Sequence, residues 1–202
     1  MTSFRPEILK AVGSSARRIL DVGCGEGALA RALSSPGVQV VGIEGDAAKA
    51  AAAREACVRV HGIDLDREEV PEPDASFDTL VYADVLEHLR DPWGVLARHR
   101  RLLAPQGRVV VSVPNAQHWR VSLGLLFGHW EYRDPDGLGH ILARDHLRFL
   151  TRAGLVSLMQ GAGYAVDTVE AIASPLALAL SPGPLRGLAA FQYVALGVPA
   201  RP

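Results

Sequence analysis

The stretch Arg18–Leu33, RILDVGCGEGALARAL, decides the fold. Apolar Ile19, Leu20 and Val22 stop at a glycine cluster, Gly23, Gly25 and Gly27, and a helical pattern starts at once. A strand that turns on glycines into a helix is the opening unit of an open α/β sheet, in which ligands bind beyond the carboxyl ends of the strands. Glycine lets the backbone approach a ligand closely and adopt positive φ. The helix that follows offers unpaired N–H groups and the positive end of its dipole. Such a turn suits a pyrophosphate, and it equally suits a carboxylate.

The same rhythm continues outward. Helical Gly27–Ser34 leads to a strand at Val38–Ile43, an alanine-rich helix at Asp46–Ala56 and a short strand at Val58–Ile63. Strand Phe77–Ala83, helix Trp93–Leu103 and strand Gly107–Val113, ended by Pro114, follow. A helix at Thr151–Gly161 and strands at Ala165–Ile172 and Phe191–Val198 complete the pattern. The strands are nearly continuous in apolar residues, as strands buried on both faces are. Alternation at this spacing predicts a parallel sheet with helices on both faces, and right-handed crossovers make it a doubly wound α/β fold. Residues 115–146 break the rhythm, and a long segment of this kind inside a compact domain reads as a lid.

The 202 residues suffice for one well-buried domain, so 1–202 is read as a single domain carrying that lid. A net charge of −1 gives no electrostatic bias towards nucleic acid or an anionic membrane. The basic run Arg98-His99-Arg100-Arg101 reads as a solvated helix face. Two cysteines, Cys24 and Cys57, make neither a disulfide framework nor a zinc knuckle. The N-terminus lacks a signal-type apolar core, and apolar Leu176–Leu180 is closed by Ser181-Pro182, short of the roughly 18 residues a span needs. The expectation is a cytoplasmic protein. Its many alanines, with arginine nearly replacing lysine, look like a GC-rich bacterial genome.

Carboxylates tell more than the glycines do. Position 28 is alanine, which a dinucleotide-binding G-x-G-x-x-G/A turn tolerates, so spacing alone leaves the ligand open. Asp21, two residues before Gly23, would repel a pyrophosphate but can receive an amino group. Glu44, 21 residues after Gly23, can accept from both hydroxyls of a ribose. Asp64, with Asp66 as a close competitor, can receive an adenine amino group. Together these suit an adenosine carrying an amino acid better than one carrying phosphates.

In these residues the chain resembles the class I S-adenosylmethionine-dependent methyltransferases. DVGCGEG is similar to the family's first motif, IEGD to its acidic loop after the second strand, and GIDLD to its adenine-contacting segment. FDTLVYADVLEHLRDP and LLAPQGRVVVSVPN resemble its fourth- and fifth-strand segments. The resemblance covers nearly the whole chain. It implies a seven-stranded sheet of order 3-2-1-4-5-7-6, strand seven antiparallel, with S-adenosylmethionine as cofactor and S-adenosylhomocysteine as product. It places cofactor contacts at Asp21, Gly23, Cys24, Gly25, Glu44, Gly45, Asp64, Leu65, Ala83 and Asp84. Cys24 is read as a backbone contributor rather than a reactive thiol.

Asp84, Glu87 and His88 stand at i, i+3 and i+4, and a helical turn would put all three on one side. Such a cluster can brace the turn, present His88 as a base oriented by a carboxylate, or ligate a divalent metal. It resembles the EVLEH-type motif of ubiquinone-biosynthesis O-methyltransferases and the E-x-x-E-H motif of small-RNA 3′-end methyltransferases. In the latter the residues hold a metal, and in both a later histidine joins the site, here His146 or nearby His140. Aspartate at position 84 departs from the first glutamate by one methylene. The candidate catalytic residues are therefore His88, Glu87 and His146, and a metal would draw on Asp84, Glu87, His88 and His146.

In the lid, His118, His129 and His140 are candidate substrate contacts or ordinary surface histidines. Trp119, Phe127, Trp130 and Tyr132 are candidate substrate walls or the lid's own core. Nitrogen-methylating members often carry an NPPY-like motif after the fourth strand; YADV stands there instead. The reading taken is methylation of an oxygen on a small metabolite, sugar or lipid precursor, without nucleic acid and without an obligate metal. An imidazole, with an ordinary pKa near 6.5, suits the base. The alternatives are metal-assisted methylation of RNA 3′ ends and a non-catalytic accessory protein of the same fold.

Overall fold

The computed structural model describes residues 5–130, 141–142, 145–174, 183 and 186–200. His140, Tyr132 and Leu176–Leu180 lie outside the described residues.

A seven-stranded sheet runs β3-β2-β1-β4-β5-β7-β6. Its strands are β1 Arg18–Val22, β2 Gln39–Ile43, β3 Arg59–His61, β4 Phe77–Ala83, β5 Leu103–Pro114, β6 Tyr164–Ile172 and β7 Gln192–Pro199. The pairings from β3 through β5 are parallel, and β7 pairs antiparallel with both β5 and β6. The helices are α1 Pro6–Val12, α2 Ala28–Leu33, α3 Ala47–Ala53, α4 Pro92–His99, α5 Trp119–Leu126, α6 Arg152–Gly161 and α7 Arg186–Ala189.

Neighbouring residues of the central strands serve opposite cores, which is why those strands read as unbroken apolar runs. Leu20, Val41, Leu80 and Val109 face a core closed by Leu155, Leu158 and Met159 of α6. Ile19, Val40, Val81 and Val110 face a second core that holds Ile8 and Val12 of α1.

Helix starts follow local capping chemistry. The Asp46 carboxylate accepts from Ala48 N and Lys49 N at the head of α3. Asp91 accepts from Gly94 N before Pro92 opens α4, and Thr151 accepts from Gly154 N before α6. α1 has no counterpart in the sequence reading. It is seven residues long, opens on Pro6 and ends at Gly13 with φ 72°, and its buried pair Ile8 and Val12 sits at i, i+4. Over so short a stretch periodicity is weak, and the helix persists because the sheet buries that pair.

Boundaries shift elsewhere. α3 ends at Ala53 rather than Ala56, and β3 keeps three residues of the expected six. β5 begins at Leu103, before Gly107, and the ladder to β4 shifts register between Phe77 and Thr79. The expected helix through Leu103 stops at His99, followed by a 3-10 turn, Arg100–Leu102.

That end of α4 corrects the solvated-face reading of the basic run. His99 is buried, with Nδ1 2.7 Å from the Tyr82 hydroxyl, and burial among Arg98 and Arg101 pushes its pKa down to about 4. Arg101 donates to the carbonyls of Val70 and Glu72 and to Asp74. Arg98 donates to Leu65 O and pairs with Glu69. The run ties α4 to the segment between β3 and β4. Sequence spacing cannot distinguish such braces from solvent-facing charge.

Candidate functional site

The glycine turn sits where the carboxyl ends of β1 and β2 meet. Gly23 N and Cys24 N both donate to Ile43 O, at 2.8 and 2.9 Å. Gly23, Gly25 and Gly27 adopt φ of 71°, 54° and 82°. At Gly23 a Cβ would lie 2.5 Å from a Val85 methyl, so this position needs glycine for both space and conformation.

Above the turn is a cavity of about 130 Å³. Asp21, Gly23, Cys24 and Gly25 form its floor, Ala28, Leu29 and Ala32 of α2 one wall, and Arg5, Ile8 and Leu9 another, with Ala83 closing it from β4. Asp21 is 2% exposed, and its Oδ2 has no hydrogen-bond partner. Burial pushes its pKa up to about 8, with nearby Cys57 and Glu44 adding to the shift. A buried acceptor without a partner costs on the order of 1–3 kcal/mol.

Glu44 stands outside the cavity wall, at the end of β2. Its Oε2 accepts from Gly25 N and its Oε1 from Asp46 N, each at 2.9 Å. One side chain thus fixes both the glycine turn and the start of α3. Gly45 is exposed beside it. At the end of β3 the two competing aspartates separate. Asp66 spends its carboxylate on Arg90 N and Asp91 N, while Asp64 remains exposed, bonded to Asp66 N. Leu65 is buried between them.

Asp84 does not share a face with Glu87 and His88, contrary to the helical expectation. Its φ is 55°, and the helical turn, a 3-10 one, starts only at Leu86. The carboxylate accepts from Ser112 Oγ (2.8 Å) and Gln192 Nε2 (2.6 Å) and pairs with Arg5. A non-glycine residue in this conformation costs on the order of 1–3 kcal/mol, which these bonds offset. Sequence reasoning missed Arg5, Ser112 and Gln192 altogether. The partners of Asp84 come from β5, β7 and the residue preceding α1, so no spacing rule links them.

Glu87, His88 and His146 do come together, and their ligand atoms all lie within 4.8 Å of one another. Glu87 is 1% exposed with neither carboxylate oxygen hydrogen-bonded; burial, and next the charge of Asp84, raise its pKa well above the ordinary carboxylate range. Its backbone carbonyl accepts from Leu147 N and Arg148 N, which fastens the 3-10 turn to the segment carrying His146. His88 Nδ1 lies 3.1 Å from Asp145 O and 3.4 Å from Asp145 Oδ2. A carbonyl only accepts, so Nδ1 is the donor in that contact. His146 Nδ1 contacts Ile141 O at 3.2 Å in the same way, and its ring meets that of His88 edge-on, centroids 4.8 Å apart. Burial, with His88 adding to it, lowers the pKa of His146.

The segment after β5 starts from a fixed point. Asn115 is fully buried, and its Nδ2 donates to Gly187 O and Ala190 O. Beyond it α5 buries no residue, and Trp119 and Phe127 are exposed, so among the described residues they form no core of their own. Trp130 packs edge-on against Phe149 at 5.3 Å. His118 caps α5 through Arg120 N, and His129 is exposed.

Residues 2–169 match the family model described as a methyltransferase domain. The chain is 32% identical over 151 residues to a protein of Mycolicibacterium smegmatis named as a probable S-adenosylmethionine-dependent methyltransferase; the match takes in 75% of this chain and 53% of that one. It is 30% identical over 172 residues to a ubiquinone biosynthesis O-methyltransferase of Aeromonas salmonicida, covering 81% and 69%. The chain thus spans only about half the length of the first of these relatives. In structure it is similar to an S-adenosylmethionine-dependent methyltransferase of Mesorhizobium loti, with TM-score 0.65, 19% identity and coverage of 95% and 94%. An S-adenosylmethionine-dependent methyltransferase of Archaeoglobus fulgidus gives TM-score 0.65 at 16% identity, covering 90% and 85%. Among the described residues no helix is long and apolar enough to cross a membrane.

Proposed function

Because the chain belongs to the S-adenosylmethionine-dependent class I methyltransferases, we propose that it methylates an oxygen of a small metabolite, sugar or lipid precursor, with His88 as the base. The observation that carries this reading is the His88 imidazole, held by its Nδ1–H on Asp145 O, so that Nε2 is the ring nitrogen the reading assigns to take the proton. The O-methyltransferase name of the Aeromonas relative points the same way.

The residues present fit the cofactor. The unpartnered Asp21 oxygen matches its ammonium group, and the Arg5 guanidinium on the facing wall matches its carboxylate. Glu44 would hold the ribose hydroxyls and Asp64 the adenine amino group. Gly23, Cys24, Gly25, Gly45, Leu65, Ala83 and Asp84 line or shape the remaining contact surface. When bound, the cofactor supplies a methyl group on an electrophilic sulfonium sulfur.

His88 Nε2 takes the proton of the acceptor hydroxyl, and the Asp145 carboxylate at 3.4 Å from Nδ1 stabilises the resulting imidazolium. Residues 115–146 form the lid that places the acceptor in line, which is the larger part of the rate advantage.

A second reading is favoured by Glu87, a buried carboxylate with no partner beside two imidazoles. A divalent cation held by Glu87, His88 and His146 would act as a Lewis acid that lowers the pKa of the acceptor hydroxyl.

The test is His88→Ala. The first reading expects kcat to fall by about 10²–10⁴ with the Kd for S-adenosylhomocysteine unchanged and wild-type turnover indifferent to chelator. Loss of wild-type turnover in chelator, restored by added Mg²⁺ or Zn²⁺, selects the second reading. Loss of cofactor affinity in the variant makes His88 structural and overturns both.

A further inference from the structure

Two thiols meet beneath the glycine turn. Cys24 belongs to the turn and Cys57 follows α3; both are free and buried. Gly42 of β2 lies under them. A Cβ added there would stand 2.6 Å from the Cys24 sulfur and 3.3 Å from the Cys57 sulfur. The missing side chain at Gly42 therefore lets both sulfurs converge on one spot. The two segments already touch close by: a Cβ at Gly27 would lie 3.1 Å from Ala53 Cα and 3.4 Å from Ala56 Cβ. The thiols also affect one another. Hydrogen bonding between the two side chains raises the pKa of Cys24 and lowers that of Cys57, and Arg31 adds to the lowering. The pairing thus favours ionisation of Cys57 over that of Cys24.

We propose that Cys24 and Cys57 form a reversible disulfide that closes the cofactor site to its ligand. This goes beyond methyl transfer and does not depend on what the acceptor is. A hydroperoxide is the oxidant. The Cys57 thiolate attacks its terminal oxygen, the O–O bond breaks, and the departing oxygen takes up the proton Cys57 had lost. Cys57 is then a sulfenic acid. The Cys24 sulfur attacks the Cys57 sulfur, the S–O bond breaks, and hydroxide leaves as water with the Cys24 proton. Two thiols lose two electrons, and the hydroperoxide is reduced to an alcohol, or to water where it is hydrogen peroxide.

A disulfide bond is about 2.05 Å long, so the sulfurs must close on each other, and the turn has little slack to follow. Val85 blocks Gly23 on one side, and Ile43 O holds Gly23 N and Cys24 N on the other. Drawing Cys24 towards Cys57 shifts the backbone of Gly23, Cys24 and Gly25 that lines the cavity. Since oxidation weakens ligand binding, bound ligand must oppose oxidation to the same extent at equilibrium.

The full chain is treated with hydrogen peroxide in the presence and absence of S-adenosylhomocysteine. The product is read by intact mass and non-reducing peptide mapping, and ligand affinity by calorimetry. The expected result is one Cys24–Cys57 link, at least about tenfold weaker binding, and full recovery with dithiothreitol. Saturating S-adenosylhomocysteine reduces the yield of the link, and Cys57→Ser keeps its affinity through peroxide treatment. No intramolecular link, or a link that leaves affinity unchanged, overturns the proposal. If the reduced protein fails to bind S-adenosylhomocysteine at all, the cofactor reading falls with it, which the mass measurement alone would not reveal.

Discussion

Replacing Asp21 by asparagine should stabilise the ligand-free protein while weakening its hold on the cofactor. The magnitude follows from the pKa, about 8 in the folded chain against 3.8 for a free side chain. Between those values the folded state binds the proton more tightly than the unfolded state does. Stability is therefore lost as pH rises from about 4 to 8, at about 1.36 kcal/mol per pH unit. The cost to the wild type is about 1.7 kcal/mol at pH 5 and about 4 kcal/mol at pH 7. Asparagine carries no charge and removes that slope, although its buried amide brings a pH-independent cost of its own. The informative quantity is therefore the change with pH. The stability of Asp21→Asn relative to wild type should grow by about 2.5 kcal/mol from pH 5 to pH 7, roughly 5–10 °C in relative melting temperature for a chain of this size. Calorimetric melting of both proteins at the two pH values measures it directly. The same group makes wild-type affinity for S-adenosylhomocysteine rise about tenfold per unit as pH approaches 8 from below, because an ammonium ligand needs the carboxylate form. A stability difference that does not change with pH would refute the assignment of a buried, proton-holding Asp21, and a pH-independent affinity would refute its role at the ligand.

Glu44→Ala removes the acceptor for Gly25 N and Asp46 N together. Affinity for S-adenosylhomocysteine should fall by about 1.5–3 kcal/mol, roughly 10- to 150-fold by calorimetry, with a small loss of stability. His99, with its pKa lowered to about 4 from 6.5, is neutral in the fold and charges on unfolding. It contributes stability that is present above pH 6.5 and lost as pH falls towards 4, about 3 kcal/mol in all. His99→Gln should flatten the acid limb of the stability curve, as measured by urea unfolding between pH 4 and 7.

Much of the fold was written locally. β1 and β4 have the bounds their apolar runs predict, and the strand order is the one the ordered motifs imply. Capping residues Asp46, Asp91 and Thr151 mark helix starts because a cap bonds only to its own first turn. α1 was illegible because seven residues carry too little periodicity, and β3 was overread because apolar Val58 is in fact exposed. The basic run Arg98–Arg101 was misread for a related reason. Whether an arginine meets water or a carbonyl from another segment depends on what the chain brings against it.

The candidate site divides in the same way. The glycine turn, with Asp21 before it and Glu44 and Asp64 at later strand ends, was legible because a parallel sheet sets strand ends side by side at fixed sequence intervals. Only the tertiary structure separated Asp84 from Glu87 and His88, gave it Arg5, Ser112 and Gln192 as partners, and brought His146 to His88. Only it set Cys24 against Cys57 over Gly42. Sequence by itself determined the elements, the sheet order and the residue types at the strand ends, since backbone propensity and burial periodicity act over a few neighbours. Tertiary structure decided partnership. A side chain's partners lie within a few ångströms, and here they come from segments up to 108 positions away, as Arg5 and Gln192 on Asp84 show.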